Sequence, residues 1–194
     1  MTSYTSFGTL ADREVEGQDY RIRLDIRDPR VLIMAPHGGK IEPATTEVAE
    51  VIAGIDFSFY GFEGLKVDGN GVLHIESHLF DEPRALGAVE KADIVVTVHG
   101  QLDRKEEFVM LGGLNEGLRS EIQLQLERAG FRTQPPTEEL MGTDPMNICN
   151  RGRLRRGVQL EISRKERDVL RTNQDRLRTF ADAVRKGIRL YLTK

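Results

Sequence analysis

Two short apolar runs in this chain each end at a histidine followed by glycine. Residues 31–36 read VLIMAP and residues 93–98 read DIVVTV. Runs of this length that are rich in β-branched residues are typical of buried strands. The glycines after His37 and His99 indicate turns at the strand ends. The pattern therefore predicts two buried strands, each of which carries a histidine to its end.

Strand and helix patterns alternate along the rest of the chain. Further strands are predicted over 57–62, 72–77, 109–112, 130–134 and 158–162, and helices over 44–52, 81–91, 115–129 and 170–192. Residues 135–150, rich in Pro, Thr, Gly and Asn signals, are predicted to form an ordered loop. We expect one α/β domain over 1–194, with a mostly parallel or mixed central sheet and helices on both faces. Ligands bind such sheets at the carboxyl ends of the strands.

The composition excludes several classes of protein. The 194 residues are 39% hydrophobic and 30% charged, which is ordinary for a globular protein, and no apolar run approaches the roughly 20 residues that span a bilayer. Residues 1–10 lack the features of a secretory signal, so we expect synthesis and folding in a cytoplasm. A net charge of −3 gives no argument for a nucleic-acid partner. A monomer is favoured.

The segment HGGKIE, together with the end of VTVHG, offers a set of metal ligands. A catalytic zinc site needs three ligands of the histidine and carboxylate type and an open position for water. His37 and Glu42 flank a Gly-Gly turn, and His99 ends another predicted strand. We therefore predict a zinc site formed by these three residues. The alternative, two structural histidines in strand-end turns, explains the residues equally well.

Glu161 is the candidate for a proton acceptor. It lies within VQLEIS, where apolar neighbours predict a buried strand. A buried carboxylate is costly unless it is paired or used in chemistry, and a hydrolase needs a base that accepts a proton from water. The alternative is a structural ion pair with Arg164 or Arg167. His74 and His78 are left outside the metal set.

An arginine-rich segment, NRGRLRRG, follows the predicted loop. Guanidinium groups form paired hydrogen bonds with carboxylates. Asn150, Arg151 and Arg153 are therefore predicted to bind carboxylates of a substrate. A solvated surface is the simpler interpretation of Arg155 and Arg156.

The segments HGGKIEP, LHIESHLFDEP, VTVHG, NICNRG and VQLEIS, in this order, resemble the poly-γ-glutamate hydrolase family known from bacteriophages of bacilli. The resemblance covers most of the chain. It implies a compact relative of the zinc carboxypeptidases, with one zinc per chain held by His37, Glu42 and His99 and with Glu161 as general base. It also implies that Asn150 and Arg151 correspond to a carboxylate-binding pair.

The function that the resemblance implies is hydrolysis of the γ-glutamyl amide bonds of poly-γ-glutamate. If the chain is encoded by a phage, its release would follow lysis of the host. Two alternatives remain. One is a zinc amidohydrolase that acts on a small N-acyl amino acid or a cell-wall γ-glutamyl peptide. The other is a non-catalytic binding module with the same fold.

Overall fold

A computed structural model describes residues 4–194 of the chain. The strands are β1 (Tyr20–Asp25), β2 (Asp28–Gly39), β3 (Phe57–Gly64), β4 (Ile94–Gln101), β5 (Val109–Gly112), β6 (Thr133–Gln134) and β7 (Val158–Ser163). The α-helices are α1 (Phe7–Ala11), α2 (Thr45–Ala53), α3 (Pro83–Val89), α4 (Glu116–Arg128), α5 (Arg164–Thr172) and α6 (Gln174–Leu192). Short 3₁₀ helices lie at Asn70–Leu73, Glu138–Leu140 and Ile148–Arg151. Within the described residues, no helix has the length and apolar character that a membrane crossing needs.

The strands form one mixed sheet in the order β1-β3-β2-β4-β7-β5-β6. Its centre is parallel, because β3, β2, β4 and β7 all run in the same direction. Near the edges, β1 runs antiparallel to β3, and β5 runs antiparallel to β7. The predicted α/β class with a mixed central sheet is confirmed.

Two hydrophobic clusters cover the two faces of the sheet. Alternate residues of β2 separate between them, as the period of a strand requires. Val31 and Ile33 pack with residues of α2, α4 and α6, whereas Leu32 and Met34 pack with residues of α3 on the opposite face. The predicted placement of helices on both faces is therefore confirmed.

A bulge interrupts β2 just before the predicted metal site. The pairing advances from Ala35 to Gly38 on β2 while β3 advances only from Gly61 to Glu63, so β2 contains one extra residue. Pro36 lies in this bulge, where a residue without an N–H group is tolerated inside a sheet. The bulge changes the direction of the chain at the residue that follows Pro36, which is the first histidine of the site.

Two elements differ from their predictions. Residues 72–77 are wrong as a strand: Leu73 and Ile75 are buried in alternation, but they lie in a 3₁₀ turn and a loop that packs on the sheet. The helix predicted over 170–192 is two helices. It breaks at Asn173, whose side chain accepts a hydrogen bond from the amide of Arg176 and so begins α6. Elements α1 and β1 had no counterpart in the sequence pattern.

Candidate metal centre

The candidate site lies at the carboxyl ends of three neighbouring parallel strands. His37 lies near the end of β2, His99 near the end of β4, and Glu161 in β7. His99 and Glu161 are direct partners in the register of β4 and β7. The structure therefore brings these predicted residues together at the edge of the sheet where α/β proteins bind ligands.

A tight turn after β2 returns Glu42 to His37. Gly39 has a φ of +62°, and a β-carbon there would lie 2.6 Å from the carbonyl oxygen of Gly64. A side chain at this position would be strained by the backbone conformation and blocked by the neighbouring strand. The amide of Glu42 donates to the carbonyl of His37 at 2.9 Å and closes the turn. The HGG sequence thus allows one loop to carry two of the ligands.

Three side chains converge on one point. His37 Nδ1 lies 3.2 Å from Glu42 Oε1 and 3.2 Å from His99 Nδ1, and His99 Nδ1 lies 3.8 Å from Glu42 Oε2. On its other side, His37 Nε2 lies 2.7 Å from the carbonyl oxygen of Ile75. Because a carbonyl only accepts hydrogen bonds, Nε2 carries the proton and Nδ1 of the neutral ring presents a lone pair. Neighbouring lone pairs at this distance require a proton or a cation between them.

The spacing of these atoms fits zinc. Ligands about 2.0–2.1 Å from a tetrahedral ion lie roughly 3.4 Å from one another. One ligand atom from each of His37, Glu42 and His99 lies within 4.8 Å of the others. The backbone amide of Gly100 donates to Glu42 Oε2 at 2.8 Å and fixes the carboxylate. Among the described residues, the buried His99 Nε2 has no hydrogen-bond partner, which leaves the ring held in place by packing.

The three groups affect one another's pKa values. Burial disfavours the charged form of Glu42, but the adjacent His37 outweighs it and holds the pKa of Glu42 at about 2. Burial lowers the pKa of His99 to about 3, against the attraction of Glu42. For His37, burial is outweighed by Glu42 and the Ile75 carbonyl, so its pKa is raised. A carboxylate and a neutral His99 are the forms that bind a metal.

Glu161 is a buried carboxyl group held by a neighbouring amide. Gln159 Nε2 donates to Glu161 Oε1 at 3.1 Å, and Gln159 Oε1 accepts from Asn147 Nδ2 at 2.9 Å. Burial and the charge of Glu42 raise the pKa of Glu161 well above its usual value. Gln159 was not singled out from the sequence, although its position two residues before Glu161 places both side chains on the same face of β7.

The predicted alternative for Glu161, a structural ion pair, is wrong. Within residues 4–194, Glu161 forms no ion pair. Arg164 pairs with Asp168 at 2.8 Å, and Arg167 donates to backbone carbonyl oxygens instead. Among the described residues, the buried carboxyl group of Glu161 therefore has no paired cation, although the charge of Arg167 acts on it without an ion-pair contact.

The candidate ligands and Glu161 open onto a cavity of about 510 Å³. The 3₁₀ helix and loop at 138–144 line part of it. Its further carboxyl groups belong to Glu76, Glu138, Glu139 and Asp144. No lysine or arginine is among the described residues that line it. The lining of the cavity is therefore acidic, apart from any cation that the site binds.

His74 and His78 also line this cavity. The ring of His74 lies against that of His37, with the ring centroids 3.8 Å apart. His74 Nε2 lies 3.7 Å from Glu42 Oε1. The structure thus brings His74 beside the candidate ligands. The predicted set of three ligands is complete without it.

Asn150 was predicted to bind substrate, but the structure places it inside the protein. Its side chain is fully buried, and its amide nitrogen donates to the carbonyls of Gly142 and Asp144. Its amide oxygen accepts from the backbone amides of Leu114 and Gly157. All the main hydrogen-bonding positions of the side chain are occupied, so Asn150 holds the loop to the sheet and presents no free group to a ligand.

Arg151 and Arg153 also lie away from the cavity. Arg151 donates to the carbonyl of Phe80 at 2.9 Å, and Arg153 lies 3.4 Å from Asp93. Together with Arg155 they line a different cavity of about 330 Å³ beside α3. The structure does not bring these arginines to the candidate ligands. Their role in binding substrate stays a prediction, and their placement argues against it.

The sequence model of the family described as Poly-gamma-glutamate hydrolase matches residues 4–186. The chain belongs to the poly-gamma-glutamate hydrolase family. The suspected resemblance is therefore confirmed, and the family is one of hydrolases.

Relatives and solved structures agree with this family. The SPbeta prophage-derived protein YoqZ of Bacillus subtilis is 37% identical over 186 residues, which are 95% of this chain and 65% of YoqZ. The chain thus spans just under two thirds of that relative. A solved bacteriophage poly-gamma-glutamate hydrolase superposes with a TM-score of 0.94 at 32% identity and covers 99% of both chains. A zinc-free structure of YndL gives a TM-score of 0.89 at 31% identity, covering 96% of both chains.

Proposed function

We propose that this protein hydrolyses the γ-glutamyl amide bonds of poly-γ-glutamate, with one zinc ion held by His37, Glu42 and His99. The observation that carries the proposal is the convergence of these three side chains beside Glu161 in one cavity. Membership of the family supports the substrate class. The YndL structure is described as the zinc-free form of that protein, which supports the choice of metal.

Each residue of the site has a defined part in such a hydrolysis. Bound zinc supplies a Lewis acid, which lowers the pKa of a water molecule and polarises an amide carbonyl. Glu161 accepts the proton of the attacking water and passes it to the nitrogen of the leaving amine. Its raised pKa suits the second step, because a group that holds a proton well is able to deliver it as an acid. Gln159 keeps the carboxyl group in place through the bond to Oε1.

The charge of the cavity supports a second candidate. A γ-linked polymer carries one free α-carboxylate per residue, yet no described lysine or arginine lines the cavity. A short γ-glutamyl peptide from a cell wall, with few carboxylates, would meet less repulsion there. The alternative function is therefore a zinc amidohydrolase for small γ-glutamyl substrates.

Products separate the two candidates. The zinc-loaded protein is incubated with poly-γ-glutamate, poly-α-glutamate, an N-acyl glutamate and a short γ-glutamyl peptide, and both chain length and released amine are followed. Shortening of the γ-linked polymer but not of the α-linked polymer supports the proposal. Cleavage of the small substrates alone would replace the polymer with the second candidate, and no cleavage of any of them would overturn both.

A further inference from the structure

Arg167 lies at the centre of the fold although no part of the proposed reaction uses it. It projects from α5 and is only 2% exposed. Its guanidinium group donates from Nε to the carbonyl of Ile162 at 3.1 Å, from Nη2 to that of Gln101 at 3.1 Å, and from Nη1 to that of Pro43 at 2.5 Å. One side chain therefore joins three separate segments of backbone.

These three segments are the ones that carry the site. The acceptors lie one or two residues beyond Glu42, His99 and Glu161. Two metal ligands and the general base thus have their backbones joined through one rigid, planar group. The turn after β2 that carries Glu42 is a loop outside the strand pairing. Its hydrogen bond to Arg167 therefore ties this turn directly to the sheet.

Gly100 shows how closely the guanidinium group is built into the site. A β-carbon at Gly100 would overlap the guanidinium carbon of Arg167. The amide of the same glycine donates to Glu42 Oε2 at 2.8 Å. The absence of a side chain at position 100 therefore allows Arg167 to approach, and the backbone of that residue orients a metal ligand at the same time.

This arrangement differs from that of an arginine that forms an ion pair at the protein surface. Among residues 4–194, Arg167 forms no ion pair, so its charge is buried against neutral carbonyl oxygens. Burying a charge without an adjacent counter-ion is costly. The opposite charges that act on it are those of Glu42, Asp168 and Glu161; that of Glu42 has the largest effect, and Glu42 and Glu161 belong to the site. The carboxylates of the site therefore account for the position of the buried charge of Arg167.

We propose that Arg167 is a positioning residue, which fixes the ligand turn, the end of β4 and β7 relative to one another. The structural part of this proposal stands by itself, and its consequence for catalysis rests on the proposed function. A lysine at this position keeps the charge, but one ammonium group cannot reach three carbonyl oxygens that lie in different directions.

The test compares Arg167→Lys with Arg164→Lys. Arg164 lies on the same helix but, among residues 4–194, its side chain bonds only to Asp168, so this control is expected to keep wild-type behaviour. For Arg167→Lys we expect kcat on poly-γ-glutamate to fall by about tenfold or more while KM changes little, because small displacements of reacting groups mainly slow the reaction. Its zinc dissociation constant, measured by competition with a chelator, is expected to rise by about tenfold or more, as when residues behind metal ligands are lost.

Hydrogen exchange of the zinc-free proteins tests the structural part without any activity. In Arg167→Lys, peptides covering 38–46 and 100–107 are expected to lose protection together, while peptides from α4 keep theirs. Gly100→Ala, which displaces the guanidinium group without removing it, is expected to give the same pattern and carries the test if Arg167→Lys does not fold.

Wild-type exchange in both segments of a folded variant would overturn the proposal, as would unchanged kcat and zinc affinity in an active enzyme. A wild-type protein that neither binds zinc nor cleaves the polymer would instead overturn the proposed function, and the exchange result would still decide the role of Arg167.

Discussion

At the scale of single residues, Glu161 is the group whose replacement tests the chemistry most simply. Gln keeps the shape of the side chain but cannot accept a proton, so turnover by Glu161→Gln is expected to fall by about 10²-fold or more while zinc stays bound. Turnover and zinc content are measured on the same sample. The control is Glu138→Gln, which removes another carboxylate of the cavity and is expected to keep at least the wild-type rate. A wild-type rate in Glu161→Gln would assign the proton transfer to another group.

His99 gives a prediction for stability as a function of pH. Burial lowers the pKa of His99 to about 3 in the folded protein from an unfolded value of 6.5. The unfolded chain therefore binds a proton that the folded chain does not. The contribution of His99 to the free energy of unfolding is complete above pH 6.5. It is lost as pH falls from 6.5 towards 3, by up to about 1.4 kcal/mol per pH unit.

Denaturant unfolding of the zinc-free protein at several pH values between 6.5 and 4 measures this effect. His37, whose pKa is raised, has the opposite effect on the change of stability with pH, and it has this effect in both the wild type and a variant at position 99. We therefore compare slopes: His99→Asn is expected to lose stability more gradually with acid than wild type does. Equal slopes would show that His99 is not buried in its neutral form.

The proximity of the candidate ligands His37 and Glu42 was predictable because their context is local. A histidine at the end of an apolar strand, followed by two glycines and a glutamate, identifies a turn that carries two ligands, and both His37 and Glu42 lie in it. The environment of Asn150 was not predictable. Whether the amide faces a ligand or the backbone depends on chain segments that are distant in the sequence.

At the scale of elements, Asn150 tests how the long loop is held. Four backbone groups from three segments of the chain bond to its side chain. Asn150→Ala leaves these groups buried without a partner, so the free energy of unfolding is expected to fall by about 3 kcal/mol or more. Asn173→Ala removes only a helix cap and is expected to cost about 1 kcal/mol. Equal losses in denaturant unfolding would contradict the structural role of Asn150.

The sequence pattern predicted most strands and failed where burial came from a loop. Residues 72–77 alternate between buried and exposed as a strand does, but they pack over His37 without pairing to the sheet. Likewise, the helical spacing over 170–192 is correct, yet a local hydrogen bond at Asn173 divides the segment. Periodicity reports burial, and it does not report which partner provides it.

At the scale of the whole molecule, the distribution of charge affects the capture of a polyanion. Because acidic side chains line the cavity, Glu138→Gln combined with Glu139→Gln is expected to lower KM for poly-γ-glutamate by about threefold or more at low salt. The difference is expected to shrink as salt screens the charges. Glu47→Gln combined with Glu116→Gln, an exposed pair outside the cavity, is the control. A KM that is unchanged, or that rises, would show that the acidic wall does not repel the polymer.

The position of the site at the sheet edge followed from the alternation of strands and helices, whereas the shape and charge of the cavity did not. The segment 138–144, which lines part of the cavity, has no periodicity that fixes its course. The arginines that the sequence suggested for the substrate lie beside α3 instead. Substrate recognition therefore depends on loop packing, which a sequence pattern does not determine.

The proposed hydrolysis of poly-γ-glutamate depends on zinc bound by His37, Glu42 and His99. The most direct measurement is the chain length of the polymer after incubation with three samples: the protein stripped of metal, the stripped protein restored with one equivalent of zinc, and zinc-treated His37→Ala. We predict shortening with the restored wild type alone. Equal shortening by the stripped protein or by His37→Ala would contradict the account.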